Sequence, residues 1–152
     1  MNRFLKIAAF GLALGLVSAV GTASGNEASM MKKAHEGSAA APSGPIKVDK
    51  AAGPGAYTVA DLYAKGAALD KTKVTVRGKV VKVSSGIMDR NWIHLRDGSG
   101  DQAKGTHNLV VTSQDLPAVG DVVTASGTLA KDRDFGSGYR YPVIVEEASV
   151  KK

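Results

Sequence analysis

Asn91-Trp92-Ile93-His94-Leu95-Arg96-Asp97-Gly98-Ser99-Gly100 is the stretch from which the fold of this chain is read. Ile93 and Leu95 alternate with Trp92, His94 and Arg96, the period-two spacing of a strand with two unlike faces, and Asp97-Gly98-Ser99-Gly100 adds turn chemistry at its end. An indole, an imidazole and a guanidinium therefore share one side. Upstream, in Val74-Thr75-Val76-Arg77-Gly78-Lys79-Val80, the valines alternate with Thr75, Arg77 and Lys79, which predicts a second strand with one buried and one wet face. Gly78 falls on the apolar side, where the absence of a side chain marks a bulge or a sharp bend. Val80 and Val81 are adjacent apolar residues, so the register slips there as in a bulged strand.

Working outward, Thr58-Val59-Ala60-Asp61 places a carboxylate three positions after a hydroxyl, a capping-box pattern, with Val59, Leu62 and Tyr63 at helical spacing. This predicts a short helix ending near Gly66 and lying across one end of the domain. Strands are expected over residues 73–84, 91–97, 107–112, 122–130 and 139–151, with loops over 85–90, 100–106 and 131–138. Pro117 excludes a central strand from 113–119, leaving room for a turn of helix at most. In the last strand Tyr141, Val143 and Val145 fall on one face and Ile144 on the other. Five strands with short links, the first long and bent, predict an all-β fold, a partly open five-stranded Greek-key barrel. A small SH3-like barrel and a lone sandwich sheet are the alternatives.

The pair of segments resembles the OB-fold, in the form that serves as the anticodon-binding domain of aspartyl- and lysyl-type tRNA synthetases. The resemblance rests on Val74-Thr75-Val76-Arg77-Gly78-Lys79-Val80, then Trp92 running into Leu95-Arg96-Asp97-Gly98-Ser99-Gly100. It covers about thirty residues and implies a ligand face across the second and third strands, fenced by the loops between strands one and two and between strands four and five. It also implies that Trp92 takes the place of the aromatic that stacks on an anticodon base. The layout of an export signal followed by one small barrel is similar to that of exported bacterial OB-fold proteins.

The first residues address the chain outward. Arg3 and Lys6 precede Ile7 to Val20, apolar except for Ser18, and Gly21-Thr22-Ala23-Ser24-Gly25 offers small residues for cleavage between Ala23 and Asn26. This reads as a signal peptide over 1–25 and a periplasmic or secreted protein. The alternative, an uncleaved anchor, is opposed by an apolar run shorter than the roughly 20 residues that span a bilayer. Residues 26–56, rich in Ala, Gly, Ser and Pro, read as a disordered linker, and 57–152 as the folded domain. Removing Arg3 and Lys6 lowers a net charge of +6 to 18 basic against 14 acidic residues, a mild +4 that permits anionic partners without specifying one. There is no cysteine, which excludes disulfides, thiolate metal sites and cysteine nucleophiles.

The candidate ligand-binding residues are Trp92, His94 and Arg96, flanked by Arg77 and Lys79, with Arg133, Phe135, Tyr139 and Arg140 in the glycine-bearing loop overhanging the same face. Stacking on Trp92 and cation contacts to phosphate suit single-stranded nucleic acid or another anionic ligand. The competing reading packs Trp92 against Phe135 or Tyr139 and makes Arg96-Asp97 a structural turn in which the aspartate bonds nearby amides. Met30, Met31 and His35 form a thioether and imidazole cluster suited to copper(I), and His94 with His107, helped by Met88 or a carboxylate, offers a second metal option. No hydrolase or zinc-protease motif is present, so a non-enzymatic binding module without a cofactor is the leading expectation. A metal- or haem-handling accessory and an adaptor with an envelope protein partner are the alternatives.

Overall fold

The computed structural model describes residues 42–152. They form six strands and two helical turns: β1 (Ala56–Tyr57), α1 (Val59–Ala64), α2 (Gly66–Leu69), β2 (Lys73–Ile87), β3 (Arg90–Arg96), β4 (Leu109–Ser113), β5 (Val122–Asp134) and β6 (Arg140–Lys151). None of these helices is long and apolar enough to cross a membrane. The sheet runs β1-β2-β3-β4-β6-β5, and β5 returns to pair with β2, so the strands roll into a partly closed ring. All pairs are antiparallel except β1 with β2 and β4 with β6.

The alternation of β2 is realised as expected. Val74, Val76 and Val80 are buried with Ile93, Leu95, Leu109, Val111, Val123, Leu129, Val143 and Val145 in one interior cluster. Gly78 sits where β2 leaves β5 and takes up β3, Lys79 being opposite both Val122 and Arg96. A Cβ at Gly78 would stand 3.2 Å from the Arg96 carbonyl oxygen and 3.3 Å from Leu95 Cβ, so the bend depends on the missing side chain. The register shift falls between Val80 and Lys82, on the doubled valine. It returns Lys82 to the outer face shared by Arg77 and Lys79.

Several boundaries differ from the sequence expectation, each for a local reason. β2 runs on to Ile87, and the loop expected over 85–90 contracts to a hairpin turn at Met88 and Asp89, whose φ angles of 54° and 57° are the positive pair that a type I′ turn requires. β4 begins at Leu109 rather than residue 107, because the Asn108 carbonyl accepts from the Tyr63 hydroxyl at 2.7 Å. β5 reaches Asp134 and β6 starts at Arg140, so the expected 131–138 loop is mostly a two-stranded ribbon extending past the ring. On that ribbon Tyr141 joins Ile144 and Trp92 in an outer cluster instead of siding with Val143 and Val145. Two-stranded ribbons twist more than sheets, so beyond Pro142 the alternation no longer follows the faces of the ring.

The capping box is complete. Asp61 N–H donates to Thr58 Oγ1 at 3.0 Å and Thr58 N–H to Asp61 Oδ2 at 3.1 Å, and the bond from the Thr58 amide, then the Thr58 side chain, hold the Asp61 carboxyl below the usual carboxylate range. α1 ends before Gly66 as expected, but α2 follows it directly. Val59 and Leu62 are fully buried and plug the ring, tied to it by the turn after β3. Asp97 Oδ2 accepts from Val59 N–H at 2.9 Å, while Oδ1 accepts from Ser99 N–H at 2.9 Å and Ser99 Oγ at 2.6 Å. Ser99 Oγ in turn accepts from Ala60 N–H at 2.9 Å. The Leu-Arg-Asp-Gly stretch is therefore first a helix dock, as the structural reading of Asp97 holds.

Part of the segment read as linker lies along this dock. Val48 N–H donates to the Asp97 carbonyl at 2.9 Å, Ala51 is buried, and β1 pairs with β2 at Thr75 and Val76. Gly98, at φ +90°, admits this strap, since a Cβ there would lie 2.0 Å from the Ile46 carbonyl oxygen.

Candidate ligand-binding face

β3 sets the site. Trp92, His94 and Arg96 project outward, and the ladder with β2 places Ser84, Lys82 and Lys79 opposite them in that order. On the other side β4 sets Thr112 opposite Trp92 and Val110 opposite His94, and β6 sets Ile144 beside Val110.

Of the two readings of Trp92, the structure shows the packed one, against Phe135, and not an indole open to stacking. The residue is 6% exposed, packed with Val110 and Ile144 under Phe135 and Tyr141. The Phe135 ring lies 5.0 Å away edge-on, and the Tyr141 ring 5.7 Å away, tilted by 32°. Trp92 Nε1–H donates to the Ile87 carbonyl at 2.9 Å, fastening the ring to its own hairpin. The physical reason is the long β5–β6 ribbon, which supplies both covering rings; sealing an indole in this way is worth roughly 4 kcal/mol. Trp92 is therefore not an open stacking platform. Its edge contributes to the floor of a cleft.

That cleft holds about 320 Å³ and is lined by Lys82, Ser84, Ile87, Met88, Trp92, His94, Phe135, Tyr139 and Tyr141. Ile87, Met88 and Tyr139 are 48%, 52% and 58% exposed, apolar groups left in water around a concavity. None of the lining residues is acidic. Burial, and then Tyr139, raise the Tyr141 pKa, so its phenol stays neutral. A larger depression, about 460 Å³, lies beside the register shift between β4 and β6, with Arg90, Asp115 and Glu147 on its walls. Polar groups there are spent on the seam, Asp115 Oδ2 accepting from Val150 N–H at 2.7 Å and Ser113 Oγ donating to the Ala148 carbonyl at 2.5 Å.

His94 is partly buried and its Nδ1 lies 3.0 Å from Asn108 Nδ2, so a neutral ring accepts there from the amide. Burial, and then the charge of Lys82, hold the imidazole pKa below its ordinary value. A histidine depressed in the folded state binds fewer protons than in the unfolded chain as pH falls below about 6.5. Its contribution to stability is complete above that pH and is lost as pH falls through the folded pKa. Thermal melts of the domain are thus expected to fall between pH 7.5 and 5.5, and His94→Gln to remove part of that slope. An unchanged slope in the variant would refute the assignment.

The cations divide into two groups. Arg133 Nε lies 3.4 Å from Glu146 Oε2, which also draws Arg90, and its guanidinium lies 5.1 Å from the Phe135 ring. Arg140 acts on Asp132, which Lys131 also contacts. Arg133 is therefore internally compensated, whereas Arg140 makes no ion pair among the described residues. Arg77, Lys79, Lys82 and Arg96 likewise make no ion pair among the described residues. Lys79 stands directly opposite Arg96, a like-charge pairing that costs a sheet stability.

No family model, curated protein or solved structure matches the chain.

Met30, Met31 and His35 lie outside the described residues. Asn108, not His107, meets His94, and no group of three His, Cys, Asp or Glu side chains is disposed to hold a metal among the described residues. The sequence reading passed over Lys82, Ser84, Ile87 and Asn108 as ligand-face residues, and named Met88 only as a possible metal ligand. The doubled valine signalled that Lys82 changes face. An apolar pair between Gly86 and Asp89 signalled an exposed hairpin tip.

Proposed function

We propose that this chain is an exported OB-fold binding module, without catalysis of its own, that takes single-stranded nucleic acid or a comparable anionic ligand on the outer face of β2 and β3. The strand order β2-β3-β4-β6-β5, closed by β5 on β2, supports the OB reading, and the leader over 1–25 supports export to the periplasm or beyond. The observation that carries the ligand class is the Lys79 and Arg96 pair, set face to face without a carboxylate partner among the described residues and in line with Arg77 and Lys82. Such a strip is stabilised by a ligand that brings regularly spaced negative charge. It leads into the cleft between the β2–β3 turn and the β5–β6 ribbon, where Tyr139 and Met88 offer apolar surface for one planar group. Binding is favoured over catalysis because His94 faces a lysine and, among the described residues, no carboxylate lines the cleft to orient an imidazole as a base.

The test is fluorescence polarisation of a labelled twelve-residue oligo-dT against salt. With three to four cations engaged, log affinity is expected to fall with log salt at a slope of about −2 to −3, a loss of roughly 20- to 50-fold between 50 and 200 mM. Absence of binding at the lowest salt, or a slope near zero, would remove the proposal.

A further inference from the structure

We infer that anion binding in the cleft is coupled to proton uptake by His94, with the Asn108 carboxamide as the group that lets the imidazole change state. The inference rests on the ligand face proposed above. The Asn108 amide carries one engaged and one idle end: Nδ2 lies 3.0 Å from His94 Nδ1, while Oδ1 is buried without a hydrogen-bond partner among the described residues. A buried idle acceptor is costly and asks for a role. Turning the carboxamide by about 180° exchanges the two ends. Oδ1 then accepts from Nδ1–H, so the ring is held in the same place with a hydrogen on both nitrogens, and Nε2–H becomes a charged donor to the cleft that the ring lines.

The surroundings decide when this happens. Lys82 on β2 is directly across the ladder from His94, and Arg96 lies two residues along on the same face. From β4 the opposing residue is Val110, which carries no charge; from the segment before β4 comes Asn108; from the ribbon come the neutral phenol of Tyr141 and the ring of Tyr139. Among the described residues no acidic side chain lines the cleft, so these residues supply no counter-charge there and the free imidazole is disfavoured as a cation. An anionic group bound beside Lys82 provides what is missing. The ligand screens the lysine and accepts from the charged ring, so binding and protonation reinforce each other by linkage. A neutral ligand of the same shape gains nothing from the proton, which makes His94 a discriminator for charge.

The probe is the labelled oligo-dT at low salt, titrated from pH 5.5 to 8. For the wild-type protein the affinity is expected to rise as pH falls, by at most tenfold per unit for one linked proton, over the range in which His94 titrates in the complex. Calorimetry across the same pH range in two buffers of different ionisation enthalpy is expected to show proton uptake that peaks where the affinity changes most steeply with pH. His94→Gln, which keeps a polar group and cannot titrate, is expected to flatten the profile. Binding with no proton exchange in the buffer pair, a wild-type measurement that needs no variant to fold, would overturn the inference and leave the ligand face standing. So would a pH slope that survives in His94→Gln. Failure of the oligonucleotide to bind at any pH would overturn both.

Discussion

Asp97→Ala is expected to cost about 3–4 kcal/mol of folding free energy, a large part of the stability of a domain this size. The carboxylate is 4% exposed and accepts three hydrogen bonds, from Val59 N–H, Ser99 N–H and Ser99 Oγ. Alanine supplies no acceptor, and the first amide of α1 is left facing the space the carboxylate filled. Bonds to a charged acceptor are worth about 1.5–3 kcal/mol each, and a lost helix cap alone about 1. Because Ser99 Oγ also accepts from Ala60 N–H, the loss spreads to a second amide of the same helix. Val59 and Leu62 then lose their fixed seat in the end of the ring. Urea unfolding of the variant gives the magnitude, and hydrogen exchange at Val59 and Ala60 locates it. Asp97→Asn, which keeps an acceptor at one position, is expected to recover about half of the loss. A loss below about 1 kcal/mol in Asp97→Ala would mean that α1 is held by its apolar face alone.

The second large effect is on binding. Reversing both charges, Lys79→Glu with Arg96→Glu, is expected to weaken oligo-dT binding by at least about 100-fold at low salt, since two attractive contacts become repulsive. The remaining salt slope falls toward zero. Arg96→Glu alone separates function from stability. It gives Lys79 an opposite charge directly across the ladder, which is worth about 0.2–1 kcal/mol, so the variant is expected to fold at least as well as the wild type while binding less. A fold that keeps two cations face to face for a ligand is less stable than it needs to be, and the single variant exposes that difference. If the single variant loses stability and keeps its affinity, the pair is structural and the ligand strip lies elsewhere.

Most of the ring was legible from the chain because strand patterning is local. The period-two runs in β2 and β3 assigned the inward valines and leucines, the doubled valine located the bulge, and Thr58 with Asp61 announced the helix. Strand ends were less legible, because a distant partner sets them: the start of β4 depends on the Tyr63 hydroxyl, some 45 residues upstream of Asn108. The β2–β3 turn was read as a longer loop because Met88 and Asp89 are not the residues that usually occupy a turn with two positive φ angles. The strap over Gly98 was read as spacer because its composition cannot form a core of its own; it needs only a surface to lie on.

The residue pattern by itself determined a bent strand, a polar and aromatic outer face on its neighbour, and a turn after Arg96 whose aspartate bonds amides, since each follows from spacing within a few positions. Only the tertiary structure decided what that outer face is for. The rings that seal Trp92 come from Phe135 and Tyr141, more than forty positions downstream, and their arrival depends on how far the β5–β6 ribbon projects and twists. The pairing of Lys79 with Arg96, and of His94 with Lys82 and Asn108, depends likewise on strand register. A shift by one residue would have sent those side chains inside, and alternation within a single strand carries no record of which partner residue it will face.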